Sequence, residues 1–592
     1  MRLFLSRSIA PIALAIATTA AIPPAPAQAQ SFSGSFLAAR HAVAENDFEM
    51  AAYYWRRALI RAPRDERVMS QALFYSVLAG DMDHAAPLAE RLEAEAPQDR
   101  VANLVLAVEE IRLGRFDAAR ARLEVSSGDA VNSLMTRLLL GWARLGAGDT
   151  AAAIDEFASL DNSAIYKVFG RLHAGYAAAV TGDYETAEAY FAESFDAASM
   201  PSSRMVLARA AILARAGSWD ASAAVLRAGL ANDDANSDLK RALAAVEARQ
   251  APEIPVGSAE LGAAEALFGL AGALSQEQGG RFGLLYAHLA QHLRGEFPAA
   301  DLLVGDILLD LDRFDAAREA YERVPKDHNA YAAAQVGVAS ALRSLERTDE
   351  AIDALRALAT LQTDNASAYF ALAQVLSAEQ RFEECAQAFD EGLARLGRTA
   401  DRHWGIYYRR GVCLERMGEW DRAEENFLMA LELRPNEPDV LNYLGYSLIE
   451  QRRRLDEARG YLERAVAERP DSGYIVDSLG WLLFRIGEYE AAAEKLEEAV
   501  RLDPVEPVIL DHLGDALWKV GRKLEAEFQW KRSLSFEPTE EDRARILRKL
   551  DIGLDRVLSE EEAAAQEPRK ADAEPIDGAP VEVAPSTPVN GG

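Results

Sequence analysis

The chain of 592 residues contains two cysteines, Cys385 and Cys413, and these are the residues best suited to redox chemistry. In an oxidising compartment they could form a disulfide. Cys385, however, occupies a position at which comparable stretches of the chain carry alanine, and there a thiol acts as a compact apolar group. We therefore favour a packing role, with the disulfide as the alternative. No Cys-x-x-Cys pair occurs, so the sequence indicates neither a zinc site nor thioredoxin-type chemistry.

Two histidines, His288 and His292, stand four residues apart, and on a helix this spacing places both on one face, where they could bind a metal. They form no His-Glu-x-x-His arrangement and no third ligand is evident nearby, so we expect a surface pair and no metal site. Arg452, Arg453 and Arg454 fall in a predicted turn. A solvated tip is the simple interpretation of these arginines, and a secondary contact site is the alternative.

The chain lacks the sequence motifs of the common catalytic sites. It contains no P-loop, no Rossmann glycine fingerprint and no Gly-x-Ser-x-Gly. Repeats occupy most of its length and leave no stretch long enough for a separate catalytic domain. We therefore expect a protein that is not an enzyme and needs no cofactor.

The net charge of −30 narrows the classes of partner. An acidic surface repels phosphate backbones, so nucleic-acid binding is disfavoured. The apolar fraction of 49% is too high for a chain that is disordered throughout. The composition therefore favours a folded protein that does not bind nucleic acid.

The N-terminus is predicted to be a secretory signal peptide, residues 1–29. Two early arginines precede an apolar stretch over residues 9–22, and residues 27–29 offer an Ala-x-Ala cleavage site. No cysteine occurs before Cys385, which argues against lipid attachment at the mature N-terminus. No later segment is long and apolar enough to span a bilayer. We expect a soluble periplasmic protein that is not a lipoprotein.

A small residue recurs at a nearly constant step along most of the chain. The step is 34 residues in the first two runs and 34 or 35 in the third. Self-similarity at this period is typical of helix-turn-helix solenoids, whose units bury their apolar faces only against neighbours. The positions are Ala51, Ala85, Ala119, Ala153, Ala187 and Ala221, then Gly283, Ala317, Ala351 and Cys385, then Ala423, Ala458, Ala492 and Ala526.

These small residues predict where the two helices of each hairpin approach closely. A second small residue often stands about twelve positions earlier, and a large residue such as Phe427, Leu496 or Trp530 follows four positions later to fill the remaining space. In the last four repeats the predicted packing positions are Gly411, Ala423, Gly445, Ala458, Gly480, Ala492, Gly514 and Ala526.

No stretch alternates between apolar and polar residues as a strand would, so we predict an all-α chain up to about Leu558. The predicted architecture is an α-solenoid of about 14 helix-turn-helix repeats in two blocks, followed by a disordered acidic tail rich in proline and alanine. The first block covers residues 30–250, a proline-containing joint covers 251–258, the second block covers 259–545, and the last helix end and the tail cover 546–592. The clearest repeats are 404–437, 438–472, 473–506 and 507–540.

This pattern of glycine, alanine and proline resembles the tetratricopeptide repeat, a family whose unit is 34 residues. The match is strongest between Trp404 and Pro538, and it is weaker but in phase over residues 35–230 and 261–396. The resemblance implies a right-handed superhelix. Its concave face, lined by the first helix of each hairpin, would hold peptides or partner proteins.

The resemblance also implies which side chains of the last four repeats face that groove. Aromatic and acidic residues predominate among them. Aromatic rings supply contact area and acids supply selection, so cationic or apolar segments would fit. The alternative is that Trp481 and Trp518 pack between neighbouring repeats. The predicted groove residues are Tyr408, Asn442, Tyr446, Asp477, Trp481, Phe484, Asp511, Asp515 and Trp518.

The stretch from Leu441 to Val500 is similar to one bacterial subgroup of the family. Its members are envelope adaptors that deliver substrates such as cell-wall hydrolases to a carboxyl-terminal processing protease, and many are lipoproteins, which this chain is not expected to be. We predict a non-catalytic scaffold or adaptor whose partners include an envelope protease or a cell-wall hydrolase. The alternative is a permanent structural component of an export or outer-membrane assembly complex.

Overall fold

A computed structural model of the chain describes residues 31–125, 130–198, 201–232, 236–275, 280–397 and 399–566. These residues form 31 α-helices and one short 3-10 helix, and none of them lies in a strand. The predicted all-α fold is therefore confirmed. The predicted signal peptide and most of the predicted tail lie outside the described residues.

The chain divides between Val375 and Leu376 into two compact units. The helices of unit 1 are α1 (Phe32–Ala44), α2 (Phe48–Arg61), α3 (Glu66–Leu78), α4 (Met82–Glu95), α5 (Arg100–Arg112), α6 (Phe116–Val125), α7 (Ala130–Gly146), α8 (Thr150–Ala158), α9 (Ala164–Val180), α10 (Tyr184–Ala197), α11 (Ser203–Arg215), α12 (Trp219–Asn232), α13 (Ser237–Glu247), α14 (Ala259–Ser275), α15 (Gly280–Arg294), α16 (Pro298–Asp310), α17 (Phe314–Glu322), α18 (Tyr331–Ser344) and α19 (Thr348–Leu361).

Helix α20 (Ala366–Ala378) carries the division between the units. The helices of unit 2 are α21 (Phe382–Arg395), α22 (Trp404–Arg416), α23 (Trp420–Leu433), α24 (Pro438–Glu450), α25 (Leu455–Glu468), α26 (Gly473–Arg485), α27 (Tyr489–Leu502), α28 (Pro507–Lys519), α29 (Lys523–Leu534), α30 (Glu540–Ile552) and α31 (Leu554–Gln566), with the 3-10 helix Asp401–His403 before α22. The predicted joint, residues 251–258, has no regular secondary structure, and its role as a domain boundary stays a prediction.

The predicted small residues all fall in the second helix of a consecutive pair. One of them is misplaced by one position. Ala221 is exposed, whereas Ser222 is fully buried and donates its hydroxyl hydrogen to the carbonyl oxygen of Ala210 at 2.7 Å. The step from Ala187 is therefore 35 residues, because one extra residue precedes this hairpin, and the packing position belongs to Ser222.

Glycines on the first helices let large side chains of the second helices fill the space between them. A Cβ atom added at Gly514 would lie 2.3 Å from Nε1 of Trp530, and one at Gly411 would lie 2.6 Å from the ring of Phe427. Real Cβ atoms do not approach other atoms this closely, so only glycine fits these positions without a shift of the helices. The small and large residues therefore act as matched pairs.

The turns inside the hairpins follow from local sequence. Gly182 has a φ of +86°, which favours glycine at the end of α9. Asp183 then accepts a hydrogen bond from the backbone N–H of Thr186 at 3.0 Å and caps α10. A glycine followed by a capping aspartate thus ends one helix and starts the next.

Within unit 1, the hairpin α14–α15 packs against the first helices of preceding repeats, α3, α5, α7 and α9. Helix α14 carries small and aliphatic residues on all sides, which is typical of a helix buried on all sides. A Cβ atom at Gly262 would lie 2.4 Å from the ring of Trp142 on α7. The face that these first helices share is therefore covered by the protein's own hairpin.

Charged and polar contacts fix the same hairpin. Arg204 on α11 donates two hydrogen bonds to the carboxylate of Glu265 on α14, both at 2.6 Å. His292 bonds through Nε2 to Glu109 on α5 at 2.8 Å, and His288 lies against Gly80. The prediction of a surface histidine pair is therefore wrong, because both rings face the preceding repeats. Among the described residues, no cluster of three His, Cys, Asp or Glu side chains could hold a metal ion.

In unit 2, Cys385 on α21 and Cys413 on α22 form a disulfide, with their Cα atoms 6.3 Å apart. This is the alternative, not the favoured interpretation of the sequence. Both residues are fully buried, so the pair also fills the packing position that alanine holds elsewhere. The thiol spacing gave no sign of this because the two cysteines lie on different hairpins.

Within the described residues, we find no helix with both the length and the apolar character that crossing a bilayer requires.

Candidate functional site

Unit 2 contains an open groove of about 670 Å³ across the first helices α22, α24 and α26. Its volume lies in the range that holds a short peptide segment or small ligand. Two of the predicted groove residues, Tyr408 and Asn442, line it. The other lining residues are Arg402, Trp404, Gly405, Arg409, Asp439, Tyr443 and Tyr474.

Two polar groups of this groove lack partners among the described residues. The Oδ1 atom of Asn442 is buried and accepts no hydrogen bond. The exposed guanidinium group of Arg409 makes no hydrogen bond or ion pair with a described side chain. A buried amide oxygen without a donor carries a desolvation cost, which a ligand's N–H group would remove. The groove thus offers one acceptor and one cationic donor.

The acidic residue of the groove is already neutralised. Asp439 accepts hydrogen bonds from Arg469 at 2.8 Å and from the hydroxyl of Tyr474. Burial alone would raise the pKa of Asp439, but these hydrogen bonds and the charge of Arg469 lower it below its usual value. Because this carboxylate is satisfied, the charge left for a ligand is that of Arg409. The open groove therefore favours a carboxylate over a cation.

Aromatic rings form the walls of the groove. The rings of Tyr408 and Tyr443 meet edge to face, with centroids 5.7 Å apart, and Tyr443 donates its hydroxyl hydrogen to Glu415 at 3.2 Å. Burial raises the pKa of Tyr408 to about 12. Tyr474 keeps 48% of its surface exposed. These rings offer the flat apolar area on which peptide side chains pack.

Three predicted groove residues on α26 are buried. Asp477 accepts a hydrogen bond from His512 on α28 at 3.0 Å, and the ring of Trp481 stacks on the same histidine with centroids 4.0 Å apart. Phe484 stacks on Trp481 at 4.9 Å. Tyr446, on α24, is half-buried, and burial raises its pKa to about 12. These side chains fill the contact between neighbouring hairpins.

The three predicted groove residues on α28 pack against the C-terminal helices. Asp511 and Asp515 both accept hydrogen bonds from Lys549 on α30, at 2.7–2.8 Å. Trp518 donates its indole N–H to Asp555 on α31 at 2.9 Å. The acids therefore face a lysine of the same chain, and the interpretation of them as selecting cationic ligands does not describe this structure. Peptide binding by these residues stays a prediction.

Sequence reasoning missed Arg409, Trp404, Tyr443 and Tyr474. Tyr443 and Arg409 each follow a predicted groove residue directly, so they stand one position further around the helix. The position of helix α30 could not be anticipated, because residues 540–552 carry no glycine-alanine signature of a further repeat. If α30 were absent, Asp511 and Asp515 on α28 would be the main charged groups facing the groove. Because α30 packs on them, they are not available to a ligand.

Comparison with known proteins agrees with this architecture. Models of the tetratricopeptide repeat match residues 172–237, 302–368, 405–437, 439–472 and 478–534. These segments are tetratricopeptide repeats, a fold class whose members are generally scaffolds for protein interaction.

One similar protein is the TPR repeat-containing protein PA4667 of Pseudomonas aeruginosa. It is 29% identical over 128 residues, a match that spans 22% of this chain and only 21% of that protein. Among solved structures, the APC/C hetero-tetramer Cut9–Hcn1 is similar over 88% of this chain and 96% of its own, at 14% identity and a TM-score of 0.36. Yeast Tom70 covers 90% and 97%, at 14% identity and a TM-score of 0.32.

Proposed function

We propose that this protein is a non-catalytic scaffold or adaptor of the bacterial envelope that holds a segment of a partner protein in the groove of unit 2. The observation that carries this proposal is the combination, in one open groove, of an unpaired arginine, a buried amide oxygen without a donor, and four aromatic rings. Each of these features is one half of a contact that an extended peptide completes.

The groove also indicates the chemistry of the bound segment. Arg409 supplies a charge-assisted hydrogen bond to a carboxylate, and Oδ1 of Asn442 accepts a backbone N–H. Trp404 and Tyr474 provide surface for an apolar or aromatic side chain. The fitting ligand is therefore an extended segment with an acidic group close to an apolar side chain, rather than the cationic segment that the inward acids suggested.

The envelope assignment rests on two features of this chain. The N-terminal residues have the pattern of a secretory signal peptide, and Cys385 and Cys413 are paired, which is a state that oxidising compartments maintain. The adaptor role, presenting substrates to a periplasmic protease, follows the resemblance of residues 441–500. A permanent place in an export or outer-membrane assembly complex is the second candidate.

Site-specific photocrosslinking in intact cells tests the groove. A photoreactive amino acid at Tyr474 should give crosslinked protein partners, and Arg409→Glu in the same chain should reduce their yield about tenfold. A photoreactive residue at Leu524, which is 83% exposed on α29, is the matched control site. Equal yields at both sites, or yields that Arg409→Glu leaves unchanged, would contradict binding in the groove.

The two candidate roles differ in how long the partner protein stays bound. An adaptor should exchange its partner within minutes, so crosslinked species at Tyr474 should disappear when an excess of unlabelled protein is added before irradiation. A permanent component should resist exchange and co-purify with membrane complexes in high salt. Recovery of the uncleaved chain from the cytoplasm would argue against both.

A further inference from the structure

Unit 1 carries a second groove, which lies on second helices rather than on first helices. The hairpin α14–α15 packs against the first helices α3, α5, α7 and α9 of this unit. The second helices α2 and α4, together with the turn after α2, line a separate groove of about 680 Å³. This groove lies apart from the function proposed for unit 2 and belongs to unit 1 alone.

The floor and rim of this groove are apolar. Leu59 and Leu88 are buried and form its base, while Ile60, Pro63 and Pro87 line its sides. Ile60 keeps 74% of its surface exposed, an uncommon state for a large aliphatic side chain beside other apolar groups. The apolar surface is therefore contiguous, and its burial under a ligand would contribute favourable free energy.

Pro87 also changes the hydrogen bonding of α4. It stands inside the helix, and proline has no N–H to give to the carbonyl oxygen four residues earlier, which belongs to Asp83. Both residues line the groove. The carbonyl oxygen of Asp83 therefore lacks its usual helical donor.

Two of the cations at the rim pair with no carboxylate of the described residues. Arg57 donates to the hydroxyl oxygen of Tyr53 at 2.7 Å, and Arg91 donates to the carbonyl oxygen of Pro63 at 3.2 Å. The third arginine, Arg56, is paired with Asp81 at 2.8 Å. Two positive charges therefore remain uncompensated at an apolar groove, on a chain whose net charge is −30.

The remaining rim charges are few. Asp83 is exposed, and His84 bonds to Asp81 at 2.8 Å. Because Asp83 is the single acid among the lining residues, the rim stays positive even with His84 neutral. An acidic segment is attracted here, while the acidic surface of most of the protein repels it.

We propose that the groove between α2 and α4 is a docking site for an acidic, extended peptide segment of a partner protein that carries aliphatic or proline side chains. The acidic groups pair with Arg57 and Arg91, and the apolar side chains cover Ile60 and Pro87. A groove with two walls fits a single chain better than the flat surface of a membrane. Unit 1 thus binds this segment on the second helices α2 and α4.

Binding of two labelled peptide mixtures to the purified full chain tests this proposal. Both mixtures contain peptides of about ten residues with leucine, valine and proline; one carries glutamate at the remaining positions, and the other carries lysine. Fluorescence anisotropy should show binding of the glutamate mixture, weakening as salt rises, and at least tenfold weaker binding of the lysine mixture. Equal binding of both mixtures, or no binding of either, would overturn the proposal.

Matched variants locate the site. Arg57→Glu with Arg91→Glu should weaken binding of the glutamate mixture about tenfold or more. Arg61→Glu, an exposed arginine of α2 that does not line the groove, should change the affinity less than about twofold. Arg409→Glu in unit 2 distinguishes the two grooves. If this variant alone abolishes binding, the peptides bind to unit 2 and the proposal is overturned.

Three further measurements distinguish a peptide groove from a misfolded variant and from a membrane-facing surface. Circular dichroism and thermal unfolding of each variant should match the parent chain, and Ile60→Asp, which keeps both arginines, should also weaken binding if the apolar floor contributes. Anionic lipid vesicles should not compete with the peptide mixture. If vesicles compete with the peptides and Ile60→Asp leaves peptide binding unchanged, the arginines form a membrane-facing cationic surface and the proposal is overturned.

Discussion

Lys549 places its ammonium nitrogen 2.7 and 2.8 Å from the two carboxylate oxygens of Asp511, in a site where both side chains are buried. Asp515, fully buried, accepts from the same nitrogen and also from the indole of Trp530. Helix α30 thus docks on α28 through one lysine shared by two carboxylates. The inward acids of the last repeat are therefore used for holding the C-terminal helix.

Removing this lysine should destabilise the C-terminal part of unit 2. In Lys549→Met, Asp511 and Asp515 lose their closest counter-charge, and Arg545, at 3.5 and 3.6 Å, compensates them only in part. Breaking a buried ion pair by removing one partner costs about 3–5 kcal/mol. We expect a loss of about 3 kcal/mol in the free energy of unfolding, measured by urea denaturation. Lys531→Met, whose side chain is 62% exposed, is the control and should change it by less than about 0.5 kcal/mol.

Because some glycines pack against large side chains and others do not, we expect substitution of glycine by alanine to have opposite effects on stability at two positions. Gly514→Ala would place a Cβ atom 2.3 Å from Trp530 and should destabilise unit 2 by about 1–3 kcal/mol through overpacking. Gly460→Ala, in α25, meets nothing within 4 Å and should stabilise the protein by about 0.5–1 kcal/mol, because alanine favours the helix. Equal thermal midpoints for the two variants would refute the packing argument.

The sequence was most informative where packing repeats. Small residues such as Ala492 and glycines such as Gly480 must recur, because each hairpin meets its neighbour in the same way. Ala492 is fully buried, and a Cβ atom at Gly480 would lie 2.7 Å from Leu496. Ala221 failed because one inserted residue shifts the step without changing the composition, and the neighbouring Ser222 is almost as small.

Contacts between distant segments could not be predicted in this way. The apolar composition of α14 indicates a helix buried on all sides. The 34-residue period, however, does not predict that Gly262 contacts Trp142. Likewise, Asp511 looks the same in the sequence whether it faces a ligand or Lys549. The open groove was found only at Tyr408 and Asn442. The predicted residues of α26 pack against the neighbouring hairpin, and those of α28 are covered by α30 and α31, which lie outside the repeat pattern.

Acid should loosen unit 1 through His173. Burial lowers the pKa of this ring to about 4, and its Nδ1 accepts the indole N–H of Trp142 at 3.1 Å, which requires the neutral form. Because the folded pKa lies below the unfolded value of about 6.5, the stability is present above that pH and is lost as the pH falls toward 4. Hydrogen exchange of α7–α9, corrected for the intrinsic rate, should show this loss. His173→Gln should flatten the dependence, while the exposed His84→Gln should not.

His512, in unit 2, should change stability with pH in the opposite direction, because its pKa is raised and not lowered. Burial alone would lower the pKa of His512, but the carboxylate of Asp477, with smaller contributions from Asp511 and Asp515, raises it above its usual value. Its contribution to stability is therefore complete below about pH 6.5 and is lost as the pH rises through the raised pKa. We expect protection of α26–α28 from exchange to fall as the pH rises above about 6.5 and through the raised pKa. Unchanged protection over this range, in parent and His512→Gln alike, would contradict this assignment.

The disulfide between Cys385 and Cys413 should stabilise unit 2 measurably. It closes a loop with a sequence separation of 28, for which restriction of the unfolded chain predicts about 3.6 kcal/mol. Cys385→Ala removes the bond but puts alanine where the other repeats carry it, so packing is retained. We expect a reductant to lower the urea midpoint of the parent chain to that of Cys385→Ala and to leave the variant unchanged. If the oxidised parent and the variant unfold at the same urea concentration, the bond contributes nothing and Cys385 acts by packing alone.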